Sequence, residues 1–269
     1  MIFIPTFNPD IKLIKNLDKL VKIYPPSKIA VVNDGSLSKK SFIILKKIKK
    51  KFKNIKLINL KKNYGKGYAI KKCLKYCKEK NINHALFVDD DGQHDAYDVK
   101  KILNSYTLSK ELVIGKRNTN ISKLPIASYL GNKISSIIFY LVTSKYISDT
   151  QCGLRLIPKK LFNFGINLES NKYDFEYEFL LKYSMNKNLK TVPIKTIYFK
   201  KNINSKFKKM KDSYLVLNII FSKIYPNSFN FIFDFILFTF LNLLGFNFFF
   251  SGLFSKLASG SLILFKLKK

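Results

Sequence analysis

Over its first 115 residues the chain alternates short β-branched and aromatic runs with longer amphipathic segments, and this alternation leaves few folds open. Strand-like runs fall near 1–4, 28–32, 55–59, 84–88 and 111–115, and helix-like segments near 10–22, 38–52, 66–80 and 95–108. Parallel strands need a crossover, and the crossover helices cover the apolar faces of the sheet. The repetition therefore predicts an α/β fold, a mostly parallel sheet with helices on both faces. Such sheets bind ligands beyond the carboxyl ends of their strands. In those positions stand the least ordinary residues of the chain: PTFN, NDGS, KNYGKG, DDDGQH and GKRN, one after each run.

Beyond this region an apolar, mainly helical stretch over 121–147 leads into SDTQCGLRLIP, a helix-like YDFEYEFLLKYS and a strand-like LKTVPIKTIYF, so the main domain is expected to span 1–200. A lysine-rich amphipathic segment follows over 201–228, then a hydrophobic region over 229–269. Residues 229–250 hold ten Phe and a single charge, Asp234. As a helix this run is long enough to span a hydrocarbon core of about 30 Å. A soluble core helix is the alternative, but such a helix carries a polar face, so a membrane-associating helical tail is expected. Lysines on both sides leave its topology open.

With 269 residues, 47% of them hydrophobic, the chain can bury one sizeable core and keep an appendage. The net charge of +32 comes from 47 Lys and only two Arg, with no Trp. A nucleic-acid binder would combine arginine forks with aromatic platforms, so no nucleic acid is expected as a partner. A positive field still favours anionic partners, among them membrane lipids and sugar nucleotides. The three cysteines are odd in number, and Cys73 and Cys77 share an apolar stripe with Ala69, Ile70 and Leu74, which predicts buried reduced thiols on the cytosolic side. Met1 runs directly into Ile2-Phe3-Ile4 and Pro5 without a basic region or a long apolar one, so a cytoplasmic amino terminus is expected.

Acidic residues number 17, yet five fall between 89 and 98. Two carboxylates about 4 Å apart repel by roughly 4 kcal/mol at an effective dielectric near 20, so something should compensate. In an extended segment side chains two apart share a face, so Asp89 and Asp91 can converge on one hard cation while Asp90 points away. Gln93 and His94 extend the polar patch. Asp95 and Asp98 sit where a helix cap and a first-turn acid belong. Gly65-Lys66-Gly67 opens a helix, where free amides and a lysine could meet phosphate, though an ordinary turn reads equally well. The two arginines, Arg117 and Arg155, are candidates for places that need a planar fork. Glu178 reads as a structural ion pair, and Glu176 is left open between structure and catalysis.

IPTFN, VVNDGS, NYGKGYAI, VDDDGQHD, IGKRN, SDTQCGLR and FEYEFLLK occur in the order and at roughly the intervals of family 2 glycosyltransferases of the dolichyl- or polyprenyl-phosphate sugar synthase type, and over about residues 1–200 the chain resembles that family. The resemblance implies a GT-A (Rossmann-like) fold and inverting transfer from a nucleoside diphosphate-sugar donor to a polyprenyl phosphate acceptor at the cytoplasmic face of the membrane. It implies that Pro5, Thr6 and Asn8 line the nucleoside pocket, that Asp34 contacts the base or ribose, and that Asp89, Asp91 and Gln93 surround Mg2+ or Mn2+ on the diphosphate. Arg117, Asp149 and Arg155 would lie around the sugar and the acceptor phosphate. Asn33 stands where the family usually has a second Asp, which leaves the base preference open. The tail more faintly resembles the start of a small multi-helix membrane domain.

Three other readings compete. A glycosyltransferase acting on a glycan hydroxyl in cell-surface polysaccharide synthesis would need a general base such as Asp149 or a group in the neighbourhood of Asp91. A nucleotidyltransferase would carry a glycine- and arginine-rich loop near the amino terminus, which this sequence lacks. A lysine-rich module that binds membranes or nucleic acid would have no use for the acid cluster. The sequence leaves an oligomer open.

Overall fold

The computed structural model describes residues 1–117, most of 132–195 and scattered positions between 237 and 254. The chain divides into two compact units, Met1–Asp212 and Ser213–Lys269. The lysine-rich 201–228 segment lies outside the described residues, as do most of the hydrophobic 229–269 region and the first half of the 121–147 stretch. Among the described residues no helix is long and apolar enough to cross a membrane.

The first unit is built on one seven-stranded sheet. In chain order its strands are β1 (Ile2–Thr6), β2 (Ile29–Asn33), β3 (Lys56–Asn59), β4 (His84–Phe87), β5 (Val113–Arg117), β6 (Arg155–Pro158) and β7 (Lys190–Ile194). They lie side by side as β3-β2-β1-β4-β6-β5-β7. The helices are α1 (Ile11–Leu20), α2 (Lys39–Lys51), α3 (Lys66–Glu79), α4 (Ala96–Ser109), α5 (Phe162–Ile166) and α6 (Asp174–Asn186). The first four strands are mutually parallel, as the alternation predicts. Strand β6 is the exception: it inserts antiparallel between β4 and β5, with Phe87 opposite Arg155 and Ile114 opposite Arg155 on the other side. Its four residues carry no directional signal in sequence, and the long return from β5 makes the antiparallel approach accessible.

Burial follows position in the sheet. β1 and β2 are buried along their whole length, consistent with helices on both faces, whereas β3, an edge strand, exposes Lys56 and Asn59. Phe3 and Phe87, neighbours across β1 and β4, stack at 5.8 Å in the middle of the core. Each such buried ring contributes about 1.5–3 kcal/mol relative to exposure. Helix starts follow local chemistry: Asp10, Ser38 and Asp95 cap α1, α2 and α4 by accepting amides of Lys12, Ser41 and Tyr97. Asp98 sits in the first turn of α4, fully buried, and also accepts the Lys195 amide at 2.8 Å, tying α4 to the end of β7. Cys73, Cys77 and Cys152 are buried free thiols.

Glu178 fixes α6 to the preceding loop. Its carboxylate accepts the Ser170 amide at 3.0 Å and the Lys182 ammonium at 2.8 Å, the structural pair read from sequence. Burial alone would raise its pKa, but the Lys182 and Ser170 donors outweigh burial and bring it from 4.5 down to about 2. A carboxylate depressed in the folded state stabilises the fold above pH 4.5 and loses that contribution as pH falls toward 2. Glu178→Gln should therefore lower stability by about 1–3 kcal/mol at pH 7, with the deficit shrinking as pH drops. Denaturant melts of both proteins between pH 7 and 3 check this; a pH-independent deficit would contradict it.

Candidate active site

Every unusual post-strand segment ends at the carboxyl edge of the central strands, and Asp89 is the hub of that edge. It follows β4 directly, its side chain is 25% exposed, and its main-chain oxygen accepts the Asn16 side-chain amide at 3.4 Å. Gly153 makes room for it: a Cβ there would stand 2.1 Å from Asp89 Oδ2, so a side chain at 153 would expel the carboxylate. Lys66 donates to Asp89 Oδ1 at 2.6 Å and lies 3.0 Å from Glu176 Oε1 and 3.1 Å from Oε2. His94, buried, places Nε2 3.4 Å from Asp89 Oδ2. Burial would raise the Asp89 pKa, but Lys66 and His94 hold it well below the ordinary carboxylate range. The same pairing keeps Lys66 charged: burial disfavours its ammonium, and Asp89 with Glu176 more than compensates.

Lys66 reaches this position because the turn before it is clamped. Asp34 accepts the Tyr64 amide at 2.9 Å and the Gly65 amide at 2.8 Å, and Gly65 takes a φ of +105° that admits α3 at the required angle. The resemblance gives Asp34 to the base or ribose, whereas here both of its oxygens hold this loop. Of the two readings the sequence leaves open for the first-turn amides of α3, phosphate contact or an ordinary turn, the bonding of Gly67 and Tyr68 favours the second. Gly67 donates to Lys172 O at 3.2 Å and Tyr68 to Asn171 O at 2.9 Å, so these two are not free for phosphate. A Cβ at Gly67 would meet Phe175 Cβ at 2.4 Å, so this glycine serves close packing of α3 on the first turn of α6 and the residues just before it.

On the β1 side, Pro5 is buried within the strand, and the Thr6 hydroxyl donates to Asp90 Oδ2. Asp90 and Asp91 stand in a turn rather than in the extended segment the spacing assumes, and Thr6 holds Asp90 there. Asn8, at a φ of 49°, accepts the Leu37 amide at 3.1 Å, while its own amide donates to Ser36 Oγ at 2.8 Å. It joins the loops after β1 and β2 and remains exposed at the rim. Asn33 donates to Asn59 Oδ1 at 3.0 Å and accepts the Ser36 amide at 3.0 Å, so its side chain orders the neighbouring loop.

The two arginines part company. Arg117 grips Asp149 through a fork, Nε to Oδ2 at 2.6 Å and Nη2 to Oδ1 at 2.8 Å, and Asp149 also accepts the Arg117 amide at 3.2 Å. Burial disfavours the guanidinium, and the Asp149 carboxylate outweighs that effect and lifts the Arg117 pKa. Asp149 is fully buried, while Arg117 keeps 21% of its side chain exposed. Arg155, expected near the acceptor phosphate, is instead completely buried: Nη1 donates to Glu176 O at 3.0 Å and Nη2 to Cys152 O at 2.7 Å. Its fork is required, but for main-chain carbonyls beneath the site. Its place in β6 points it under Glu176, a geometry that sequence order alone does not reveal.

Asp91 completes the edge. Its Oδ1 accepts the Gln93 amide at 2.9 Å. Burial and the neighbouring Asp89 carboxylate push its pKa up, with the Gln93 amide pulling back. Two hard carboxylates that disfavour each other's charge are the donor set a divalent cation relieves. Mg2+ and Mn2+ typically take one or two protein carboxylates and complete their shell with phosphate and water oxygens. The residues therefore fit such an ion, although among the described residues no three His, Cys, Asp or Glu side chains converge as a cage.

The sequence profile named Glycosyl transferase family 2 matches residues 1–163, more than half of the chain. The protein is a family 2 glycosyltransferase. A UDP-N-acetylglucosamine–dolichyl-phosphate N-acetylglucosaminyltransferase of Methanococcus voltae is 32% identical over 215 residues, covering 73% of this glycosyltransferase and 85% of that protein. A dolichyl-phosphate beta-glucosyltransferase of Dictyostelium discoideum is 27% identical over 59% of this chain and 54% of its own. Among solved structures, glucosyl-3-phosphoglycerate synthase from Mycobacterium tuberculosis, in complex with Mn2+, UDP and glucosyl-3-phosphoglycerate, superposes with a TM-score of 0.60 over 83% of this chain and 78% of its own. At 12% identity that likeness bears on the fold alone, which is GT-A.

Glu176 and His94 are the site residues that sequence reasoning left unassigned. The sequence places His94 in the polar patch without giving it a role, whereas Glu176 comes from α6, 87 positions beyond Asp89, and only folding brings them together. Arg155→Lys keeps the charge but cannot span both carbonyls, so one buried acceptor loses its partner at a cost of about 2–4 kcal/mol. Calorimetry of this glycosyltransferase should show a Tm lower by about 5–15 °C. An unchanged Tm with impaired acceptor use would return Arg155 to the acceptor side.

Proposed function

We propose that this glycosyltransferase moves a sugar from a nucleoside diphosphate-sugar to a polyprenyl phosphate of the dolichyl or undecaprenyl type, with inversion and with a divalent cation. The observation that carries the acceptor class is the commitment of Asp149. A hydroxyl acceptor needs a base to remove its proton, and Asp149, the acid best placed by the resemblance, is buried with both oxygens held by Arg117. A phosphate monoester arrives ionised near neutral pH and needs cations for positioning rather than a base. The dolichyl phosphate named for the relatives from Methanococcus voltae and Dictyostelium discoideum supports the same choice.

In this reading Asp89 and Asp91, with Gln93 beside them, hold Mg2+ or Mn2+, which when bound stabilises negative charge on the departing diphosphate. Thr6, Asn8, Asp34 and Pro5 shape the nucleoside end. Asp34 acts there through the Tyr64–Gly65 turn it clamps, and Thr6 through Asp90. Arg117, oriented by Asp149, offers its exposed edge to the acceptor phosphate. An acceptor phosphate oxygen attacks the anomeric carbon as the bond from that carbon to the diphosphate breaks; no proton changes hands. Residues 1–200 carry this chemistry. The lysine-rich 201–228 segment and the hydrophobic 229–269 region would keep the enzyme at the cytoplasmic face of the membrane, where the lipid acceptor lies.

A screen of nucleotide-sugars with the full-length chain, Mg2+ or Mn2+, and polyprenyl phosphate, read by mass spectrometry, should yield a glycosyl-phospho-polyprenol. Its rate should vary little between about pH 6.5 and 8.5, because no group of pKa near 7 controls the chemistry. Turnover of a glycan hydroxyl with a steep basic limb, and none of polyprenyl phosphate, would replace this reading with the hydroxyl-acceptor one.

A further inference from the structure

Lys66 divides its ammonium between two carboxylates, at 2.6 Å from Asp89 Oδ1 and 3.0 Å from Glu176 Oε1. Asp89 is also a candidate cation ligand, and an ammonium and a divalent ion cannot occupy the same lone pairs of one carboxylate oxygen. Freeing Asp89 by moving Lys66 away would ordinarily strand a buried ammonium, which is strongly unfavourable. Glu176 removes that obstacle. It is buried on α6, already within hydrogen-bond distance of Lys66 Nζ, and backed by Arg155, whose Nε lies 3.8 Å from Glu176 Oε1 and has no hydrogen-bond partner of its own among the described residues.

We propose that Lys66 is a built-in competitor for the divalent cation at Asp89, and that Glu176 is the alternative seat that holds the ammonium once Asp89 is released. This rests on the reading that Asp89 and Asp91 bind the cation. Glu176 is then a positioning residue: it touches neither metal nor sugar and acts through Lys66. With the cation absent, Lys66 neutralises Asp89 and keeps the acid loop in place; with it present, the ammonium leaves Asp89 and stays paired with Glu176.

The two residues should act in opposite directions on metal affinity, which general damage to the site would not produce. Mn2+ is titrated into the full-length chain in the presence of UDP, and free Mn2+ is counted by its EPR signal. Lys66→Met should tighten Mn2+ binding by about tenfold, and Glu176→Gln should weaken it by about three- to tenfold, within the range of couplings between contacting residues. In the Lys66→Met background, Glu176→Gln should change affinity by less than about twofold, because Glu176 then has no ammonium to draw away. Equal weakening by Glu176→Gln in both backgrounds would mean a plain charge effect and would overturn the alternative seat. Lys66→Gln, which keeps length and a hydrogen bond, repeats the test should the Met variant melt early.

Asp91→Asn separates the two layers of the claim. Mn2+ binding that this variant abolishes, yet that is equal in wild type and Lys66→Met, overturns the competition alone. No stoichiometric Mn2+ in either protein overturns the metal reading and the competition with it.

Discussion

The ammonium of Lys66 holds together three pieces of chain that the fold brings in from different directions. Asp89 comes from the end of β4, Lys66 from the start of α3 and Glu176 from α6. Without that cation the Asp89 and Glu176 carboxylates would repel, and the acid loop would have no reason to lie against α6. Nearly every other feature of the edge serves this arrangement. Asp34 clamps the turn that launches Lys66, Gly153 leaves the space that the Asp89 carboxylate fills, and Arg155 supports the main chain at Glu176 from below.

The same economy explains how the two arginines differ. In a chain of 47 lysines, Arg117 and Arg155 both occur where two acceptors are met by a rigid planar fork, a fixed geometry that an ammonium does not reproduce. One uses its fork on a side chain, Asp149, and stays partly exposed; the other uses its fork on main-chain carbonyls and sees no solvent. Residue type thus marks the need for a planar donor, and burial decides whether that need is chemical or architectural.

Local pattern carried most of the fold. The alternation of apolar runs and amphipathic segments located β1 to β5 and α1 to α4 within about two residues of their observed ends, because each such element buries its own face and caps its own terminus. It did not carry the antiparallel insertion of β6, since a strand of four residues, Arg155–Pro158, holds no record of direction. At the site, the polar segments after the strands were legible as a group, and Asp89, Asp91, Lys66 and Arg117 do gather at one edge. The assignments that shifted are those in which a side chain turns back into the protein. Asp34 holds amides, Asn8 holds the α2 entry and Arg155 holds carbonyls, all choices made by tertiary geometry. Glu176 was left open for the same reason: nothing near it in sequence announces Lys66.

The most direct test of a site organised around Lys66 is a pair of crystal structures of the full-length enzyme, one free and one with Mn2+ and UDP. In the free enzyme Lys66 Nζ should lie within hydrogen-bond distance of both Asp89 and Glu176. In the complex it should have left Asp89 Oδ1 and remained on Glu176, with the backbone of α3 and α6 unmoved. Mn2+ bound while the Lys66–Asp89 contact stays at its present 2.6 Å would contradict the central role given to this ammonium.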